Sequence, residues 1–373
     1  MKQKALPKYA QLKKEITAWL DTGRLQPNEQ MPSENEIAER FGISRQTVRQ
    51  TLGELEQEGR LYRIQGKGTF AAEPKASEQR PEAQTIGLVT TYISDYIFPF
   101  IVRGAESAIR AKGYNLMLSS TDNDKRRERE SLSLLTSRPL GGLIIEPTKS
   151  AEGNPNLDYF LALHNRRIPY VMINAEYPEI SSPSLTIDDE AGGCAAAEHL
   201  IGLGHRRIAG FFKTDDRQGV LRLKGFMQAH QREGHALHPD FVIAYRTEEQ
   251  AEKPVEAAAR LLSRPEGERP TALVCYNDQL ALRLLEVIRQ LDLSVPGDVS
   301  IVGFDDSSLA TATEVKLTTL THPKEQMGED AARMLFELIE SGGASVPASR
   351  SYKPELIIRE STRQISEQVS KMI

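Results

Sequence analysis

The sequence predicts an α/β protein: a two-lobed body built on parallel sheets, preceded by a small winged helix-turn-helix. Three observations carry that reading. Between residues 86 and 341, short apolar runs alternate with longer stretches of helical period, the pattern of parallel strands covered by helices on both faces. Residues 31–70 hold two short helical patterns, parted by Phe41-Gly42 and followed by a glycine-tipped hairpin. The stretch AEPKASEQRPEAQ at 72–84 is polar, carries prolines and has no apolar period, so it reads as a linker. The expected boundaries are 1–73 for the small domain, 74–84 for the linker and 85–373 for the body.

Taken in order, Tyr9, Leu12, Ile16, Trp19 and Leu20 follow helical spacing, so 8–21 is expected to be a helix with Trp19 in the core. Pro32-Ser33 with Glu36 forms a capping box, in which the Ser33 hydroxyl takes a free amide and Glu36 reaches back. Ile37, Ala38 and Phe41 give that helix its buried face, Gly42 supplies the turn, and Ser44 caps the next helix. There Val48, Leu52 and Leu55 recur at i, i+4 and i+7, while Arg45, Gln46, Arg49 and Gln50 fall on a different arc. Arg can grip a phosphate or a guanine edge with two bonds, and Gln an adenine edge. A helix, a tight turn and a second helix with such forks near its N-terminus suit a DNA major groove. The runs 60–64 and 69–71 flank Gln65-Gly66-Lys67-Gly68, a wing whose glycines permit close backbone approach. The candidate DNA contacts are Lys8, Ser33, Glu34, Ser44, Arg45, Gln46, Thr47, Arg49, Gln65, Gly66, Lys67 and Gly68. Taken singly these are ordinary surface and turn residues; their order along the chain argues for DNA.

In the body, strands are expected at 86–91, 115–119, 142–146, 170–173, 208–212, 272–276 and 300–304. Helices are expected at 98–111, 124–137, 190–203, 219–233, 279–291 and 325–341. So long a run of alternation exceeds one comfortable core, which favours two lobes with a cleft and ligand groups near the carboxyl ends of the strands. Polar residues follow the apolar runs at Tyr92, Tyr96, Glu146, Asn174, Lys213, Asp216, Asn277, Asp305 and His322, with Arg222 early on a helix. Carboxylates, amides and a guanidinium match adjacent sugar hydroxyls, and a ring can cover the apolar face of a sugar. These ten are the candidate sugar contacts. Strand-end acids also arise as helix caps, and caps or sugar contacts account for Asp188-Asp189 and Asp305-Asp306 better than a metal does.

Composition sets limits. The net charge of −5 argues against indiscriminate nucleic-acid binding; residues 1–73 carry 12 Lys/Arg against 10 Asp/Glu, a net of +2, which leaves −7 for the rest. The chain has no apolar run long enough for a transmembrane helix, and its first residues lack a signal-peptide pattern. Cys194 and Cys275 stand far apart and outside any C-x-x-C. A cytoplasmic, reduced protein with no membrane contact is expected. Gly202-x-Gly204 follows a helix and lacks a third glycine, so it is no dinucleotide fingerprint. No acid/base pair is tied to a nucleophile, so an enzyme is not expected and no cofactor is assigned.

Three resemblances sharpen this. Pro32-Ser33-Glu34, Phe41-Gly42-Ile43-Ser44-Arg45, Thr47-Val48-Arg49, Glu58-Gly59 and Gly66-Lys67-Gly68-Thr69-Phe70 resemble the winged helix-turn-helix of the GntR family. Over 85–362 the chain resembles the LacI/GalR-type effector domain, itself similar to periplasmic sugar-binding proteins. The matching stretches include Gly204-His205-Arg206-Arg207-Ile208, Arg222-Leu223-Lys224-Gly225-Phe226 and Gly303-Phe304-Asp305-Asp306. That resemblance implies that Arg222, Asn277 and Asp305 bind effector; at Asn174 the family commonly has Asp. The joining of these two modules resembles the arabinose-repressor family of Gram-positive bacteria, which implies L-arabinose as effector and operator DNA of arabinose-utilisation genes as target. The chain is expected to act as a homodimer reading two half-sites. A regulator answering to another small sugar, a transport or chemotaxis binding protein and a sugar-processing enzyme are the alternatives.

Overall fold

The computed structural model describes residues 8–21, 24–26, 28–64, 66–72, 84–93 and 96–365. It divides into two compact units, Met1–Pro81 and Glu82–Ile373. The first holds α1 (Lys8–Asp21), α2 (Glu34–Phe41), α3 (Arg45–Gln57), β1 (Leu61–Ile64) and β2 (Gly68–Ala71). The capping box forms: Ser33 Oγ accepts from Glu36 N at 3.3 Å, and Ser33 N donates to Glu36 Oε2 at 2.7 Å. Gly42 closes α2 at φ 59°, and Ser44 Oγ accepts from Thr47 N at 3.2 Å to open α3. Leu12, Ile16, Trp19, Ile37, Val48, Leu52, Leu55 and Leu61 meet in one core beneath these caps. The antiparallel hairpin pairs Leu61 with Ala71 and Ile64 with Gly68. Gln65 at its tip, and residues 74–83 of the expected linker, lie outside the described residues.

The second unit runs β3 (Thr85–Thr90), α4 (Phe98–Ala111), β4 (Asn115–Ser120), α5 (Lys125–Thr136), β5 (Gly142–Ile145), α6 (Leu157–Asn165), β6 (Tyr170–Asn174) and β7 (Ser184–Ile187). The chain then crosses to α7 (Asp189–Gly202), β8 (Ile208–Lys213), α8 (Arg217–Arg232), β9 (Val242–Tyr245), α9 (Lys253–Leu262), β10 (Ala272–Cys275), α10 (Asp278–Gln290), β11 (Ser300–Asp305), α11 (Leu309–Ala312) and β12 (Thr318–Thr321). It returns for α12 (Lys324–Glu340) and β13 (Arg350–Tyr352), and crosses a third time into β14 (Leu356–Ile357).

Among the described residues the two lobes carry six-stranded sheets ordered β13-β7-β6-β5-β3-β4 and β14-β12-β11-β10-β8-β9. Every pairing is parallel except β12 with β14. Strands β5, β8, β10 and β11 are buried at every residue, which is why they read as unbroken apolar runs. The expected helices and strands are present with ends moved by a residue or two. Strands β7, β9, β12, β13 and β14 and helices α6 and α9 add to the sequence reading. The strands are short or lie at sheet edges, where no long apolar period builds up, while α9 does place Pro254, Ala258, Leu261 and Leu262 on one buried face. No helix of the described residues is long and apolar enough to cross a membrane.

One close approach matters for the site. Gly225 on α8 faces α7, and a Cβ there would run into the Glu190 carbonyl, as would one on Gly193 into that of Arg222. The two helices therefore touch backbone to backbone, which brings Arg222 within bonding range of Asp189.

Candidate functional sites

In the first unit, the exposed arc of α3 presents Arg45, Gln46 and Arg49. Arg49 is not free: its guanidinium forks onto Glu34, with Nη2–Oε2 at 2.8 Å and Nε at 3.2 and 3.3 Å from the two oxygens. Arg63 on β1 lies 3.8 Å from the same carboxylate. The Arg49 bond holds the Glu34 carboxyl below the ordinary Glu range. Lys8 Nζ donates to the Gly42 carbonyl at 3.1 Å, beside the turn into α3. The wing tip is braced by Gln30, whose Nε2 donates to Lys67 O at 2.7 Å. Gly66 and Gly68 take φ 77° and 113°, backbone shapes that side chains resist. Arg45, Gln46 and Lys67 remain exposed around the cap formed by Ser44 and Thr47.

In the second unit, nine of the ten candidate sugar residues line one cavity of about 270 Å³ between the lobes: Tyr92, Tyr96, Glu146, Asn174, Lys213, Asp216, Arg222, Asn277 and Asp305. That is near the small end of ligand sites, which run from about 300 Å³ upward. The first lobe contributes through residues at or just after the ends of β3, β5 and β6. Glu146 Oε2 accepts from Thr91 N and Thr91 Oγ1, both at 2.7 Å, and its Oε1 from Asn174 Nδ2 at 2.8 Å. Burial raises the Glu146 pKa despite these donors. His322, the tenth residue, stands behind Asn174: its Nε2–H donates to Asn174 Oδ1 at 3.0 Å. Burial lowers the His322 pKa to about 4, so the ring is neutral. It acts on the cavity through Asn174.

The second lobe supplies the charges. Arg222, buried, donates from Nε to Asp189 Oδ1 at 2.8 Å and from Nη1 to Tyr276 O at 2.6 Å, and its Nη2 lies 3.5 Å from Asp305 Oδ1. Its guanidinium carbon sits 3.6 Å from the Phe304 ring centroid. Burial pushes the Asp189 carboxyl up to about 7 although Arg222 opposes it. Burial likewise works against the Lys213 ammonium, but Asp216 at 3.1 Å and Asp215 at 3.9 Å more than reverse this, and its pKa is raised. Tyr96 of the first lobe donates to Asp305 Oδ2 at 2.5 Å and accepts from Asp278 N at 3.2 Å, so the lobes meet across the cavity. Tyr96, Asn174 and Asp305 hold φ of 68°, 63° and 94°, left-handed backbone that costs about 1–3 kcal/mol each and concentrates at binding sites.

Tyr92 Oη and Asp305 Oδ1 are buried with no hydrogen-bond partner among the described residues. A donor and an acceptor left open in one small polar cavity are groups a polyhydroxylated ligand can satisfy.

Thr91, Asn123, Gln250, Tyr276 and Gln279 also line the cavity and were not singled out in the sequence. Tyr276 was hidden as the last residue of an expected strand. Gln250 lies in a stretch without apolar period, which carries no signal. Of the pair set aside as caps, Asp188 does cap α7, accepting from Ala191 N at 3.0 Å, while Asp189 is the carboxylate that holds Arg222.

Residues 8–71 match the family described as bacterial regulatory proteins, gntR family, and residues 197–362 match the periplasmic binding protein-like domain. The chain is 60% identical to an arabinose metabolism transcriptional repressor of Geobacillus stearothermophilus, over 98% of this chain and 100% of that one. It is 44% identical to a protein of the same name from Halalkalibacterium halodurans, over 96% and 97%. Among solved structures, a LacI family transcriptional regulator from Enterococcus faecium with bound ribose superposes at TM-score 0.65. It is 25% identical and covers 76% of this chain and 100% of its own. A putative ribose operon repressor from Burkholderia thailandensis gives TM-score 0.64 at 26% identity, over 74% and 99%.

Proposed function

This chain belongs to the family of arabinose metabolism transcriptional repressors, and from that premise we propose that it binds operator DNA through its first unit and lets go when L-arabinose fills the cleft of its second. Residues 1–73 form the DNA-binding domain, 74–84 the linker and 85–373 the effector and dimerisation domain. The observation that carries the sugar assignment is the cavity itself: small, polar, set between two lobes, with Asp305 Oδ1 and Tyr92 Oη lacking a hydrogen-bond partner among the described residues. One ring of hydroxyls spans from Glu146 on the first lobe to Lys213, Arg222 and Asp305 on the second. A ligand that bonds both lobes favours their closed arrangement by its differential affinity for the two states.

In a cytoplasmic homodimer, closing the cleft changes how two winged domains are presented to the two half-sites of an operator. The same coupling free energy then lowers DNA affinity. Lys8, Ser33, Glu34, Ser44, Arg45, Gln46, Thr47, Arg49 and the wing from Gln65 to Gly68 make the DNA contacts, Arg49 after exchanging Glu34 for DNA. A gel-shift titration of the full chain on operator DNA, with and without L-arabinose, tests this. Release of specific DNA by the sugar is expected; retention at saturating sugar would overturn the reading. A second reading, another pentose as effector, has the bound ribose of the Enterococcus faecium regulator in its favour. Calorimetry against a panel of pentoses distinguishes the two.

A further inference from the structure

Residues 246–250 follow β9 on the second lobe and meet the first lobe at three consecutive positions. Arg246 pairs with Glu152, Thr247 Oγ1 accepts from Asn123 Nδ2 at 2.7 Å, and Glu248 pairs with Lys149. The order of charge on one side, positive, neutral, negative, is answered in register on the other. Both faces are built for the contact. On the first lobe Lys149 holds φ 41°, and its N–H donates to Asn123 Oδ1 at 2.8 Å. On the second, buried Asp215 accepts from Thr247 N at 2.9 Å, and Arg283 Nη1 donates to the Gln250 carbonyl at 3.0 Å.

We propose that 246–250 is a strap that fixes the closed cleft through this charge register, so that effector affinity depends on the Arg246–Glu152 and Glu248–Lys149 pairs, none of whose residues lines the cavity. The strap is tied to the cavity at both ends of its attachment: Gln250 lines it, and Asp215 neighbours the Lys213–Asp216 ion pair. Filling the cavity and seating the strap are then parts of one closure. Left-handed backbone at Lys149 is the kind of local cost that persists where a contact depends on it.

The proposal rests on the cleft being the sugar site, and its test separates the two. Full-length wild type, E248K and the swap K149E/E248K are compared by calorimetry with L-arabinose, with matching far-UV circular dichroism. E248K should bind about fivefold more weakly, the size of a single exposed ion pair, and the swap should return to within about twofold of wild type. Wild-type affinity in E248K, or a swap as weak as E248K, overturns the strap. If wild type takes up no arabinose, the sugar reading fails and the strap is judged without ligand. Spin labels on L161C and E256C, exposed positions on the two lobes, report the distance between them. Longer distances in E248K that the swap reverses support the strap; an unchanged distribution overturns it.

Discussion

Replacing Arg222 with Met keeps length and apolar stem while deleting the guanidinium from the centre of the second lobe. Two hydrogen bonds and one longer ion-pair contact go with it: the bond to Asp189 at 2.8 Å, the bond to Tyr276 O at 2.6 Å, and the approach to Asp305 at 3.5 Å. Asp189 is then buried without the cation it is bonded to, and Asp305 keeps Lys324 nearby. Breaking one side of a buried pair costs about 3–5 kcal/mol. R222M should therefore lose about 3–5 kcal/mol, and D189N/R222M, which removes the stranded charge, should recover about half. The measurement is urea unfolding followed by far-UV circular dichroism. Tryptophan fluorescence would not serve, because the chain has one Trp and it is Trp19 in the core of the first unit. R222M should also lose sugar affinity by about 10- to 150-fold, since a charged hydrogen-bond donor contributes about 1.5–3 kcal/mol. An unchanged urea midpoint in R222M, or a double variant weaker than R222M by the full cost of D189N alone, would refute the reasoning.

Three further outcomes are expected. R45A and R49A should each weaken operator binding by about 1–3 kcal/mol while leaving sugar calorimetry unaltered; normal operator binding by both would remove α3 from the interface. S33A should lower the stability of the first unit by about 1 kcal/mol, read by Trp19 fluorescence in urea, because it deletes the acceptor of the Glu36 amide. Asp278 is pushed up to about 7 by burial, against donors from Thr319 and Ser307. A folded pKa above the unfolded value of about 4 means that the folded state holds the proton more tightly. Its contribution is therefore fully present below pH 4 and lost as pH rises to 7. The stability advantage of wild type over D278N should shrink across that window, and one that grew instead would reverse the assignment.

Much of the fold was legible because its signals are local. The capping box at Ser33 and Glu36, the Gly42 turn and the apolar runs of β5, β8, β10 and β11 each follow from residues within a few positions of one another. Strand β9 was not legible, since four residues at a sheet edge leave little period to detect, whereas helix α9 does carry a helical period in Pro254, Ala258, Leu261 and Leu262 that the sequence reading passed over. Nine of the ten polar residues chosen, all of them but Arg222 for following strands, do line one cavity, because parallel sheets direct their carboxyl ends toward the same cleft.

What the sequence by itself determined, then, is which residues cap, turn and alternate, and which polar groups stand at strand ends, for these depend on propensity and period along the chain. Tertiary structure alone decided their partners. Arg49 meets Glu34 because α2 packs across α3, and His322 reaches Asn174 across 148 positions of sequence. Tyr96 bonds to Asp305 because the chain crosses between lobes and brings the ends of β3 and β11 together. Asp189 became the holder of Arg222, and not only one of two adjacent acids, because two glycines let α7 and α8 touch. Such contacts are set by how helices and sheets pack over long sequence separations, and no local pattern records that.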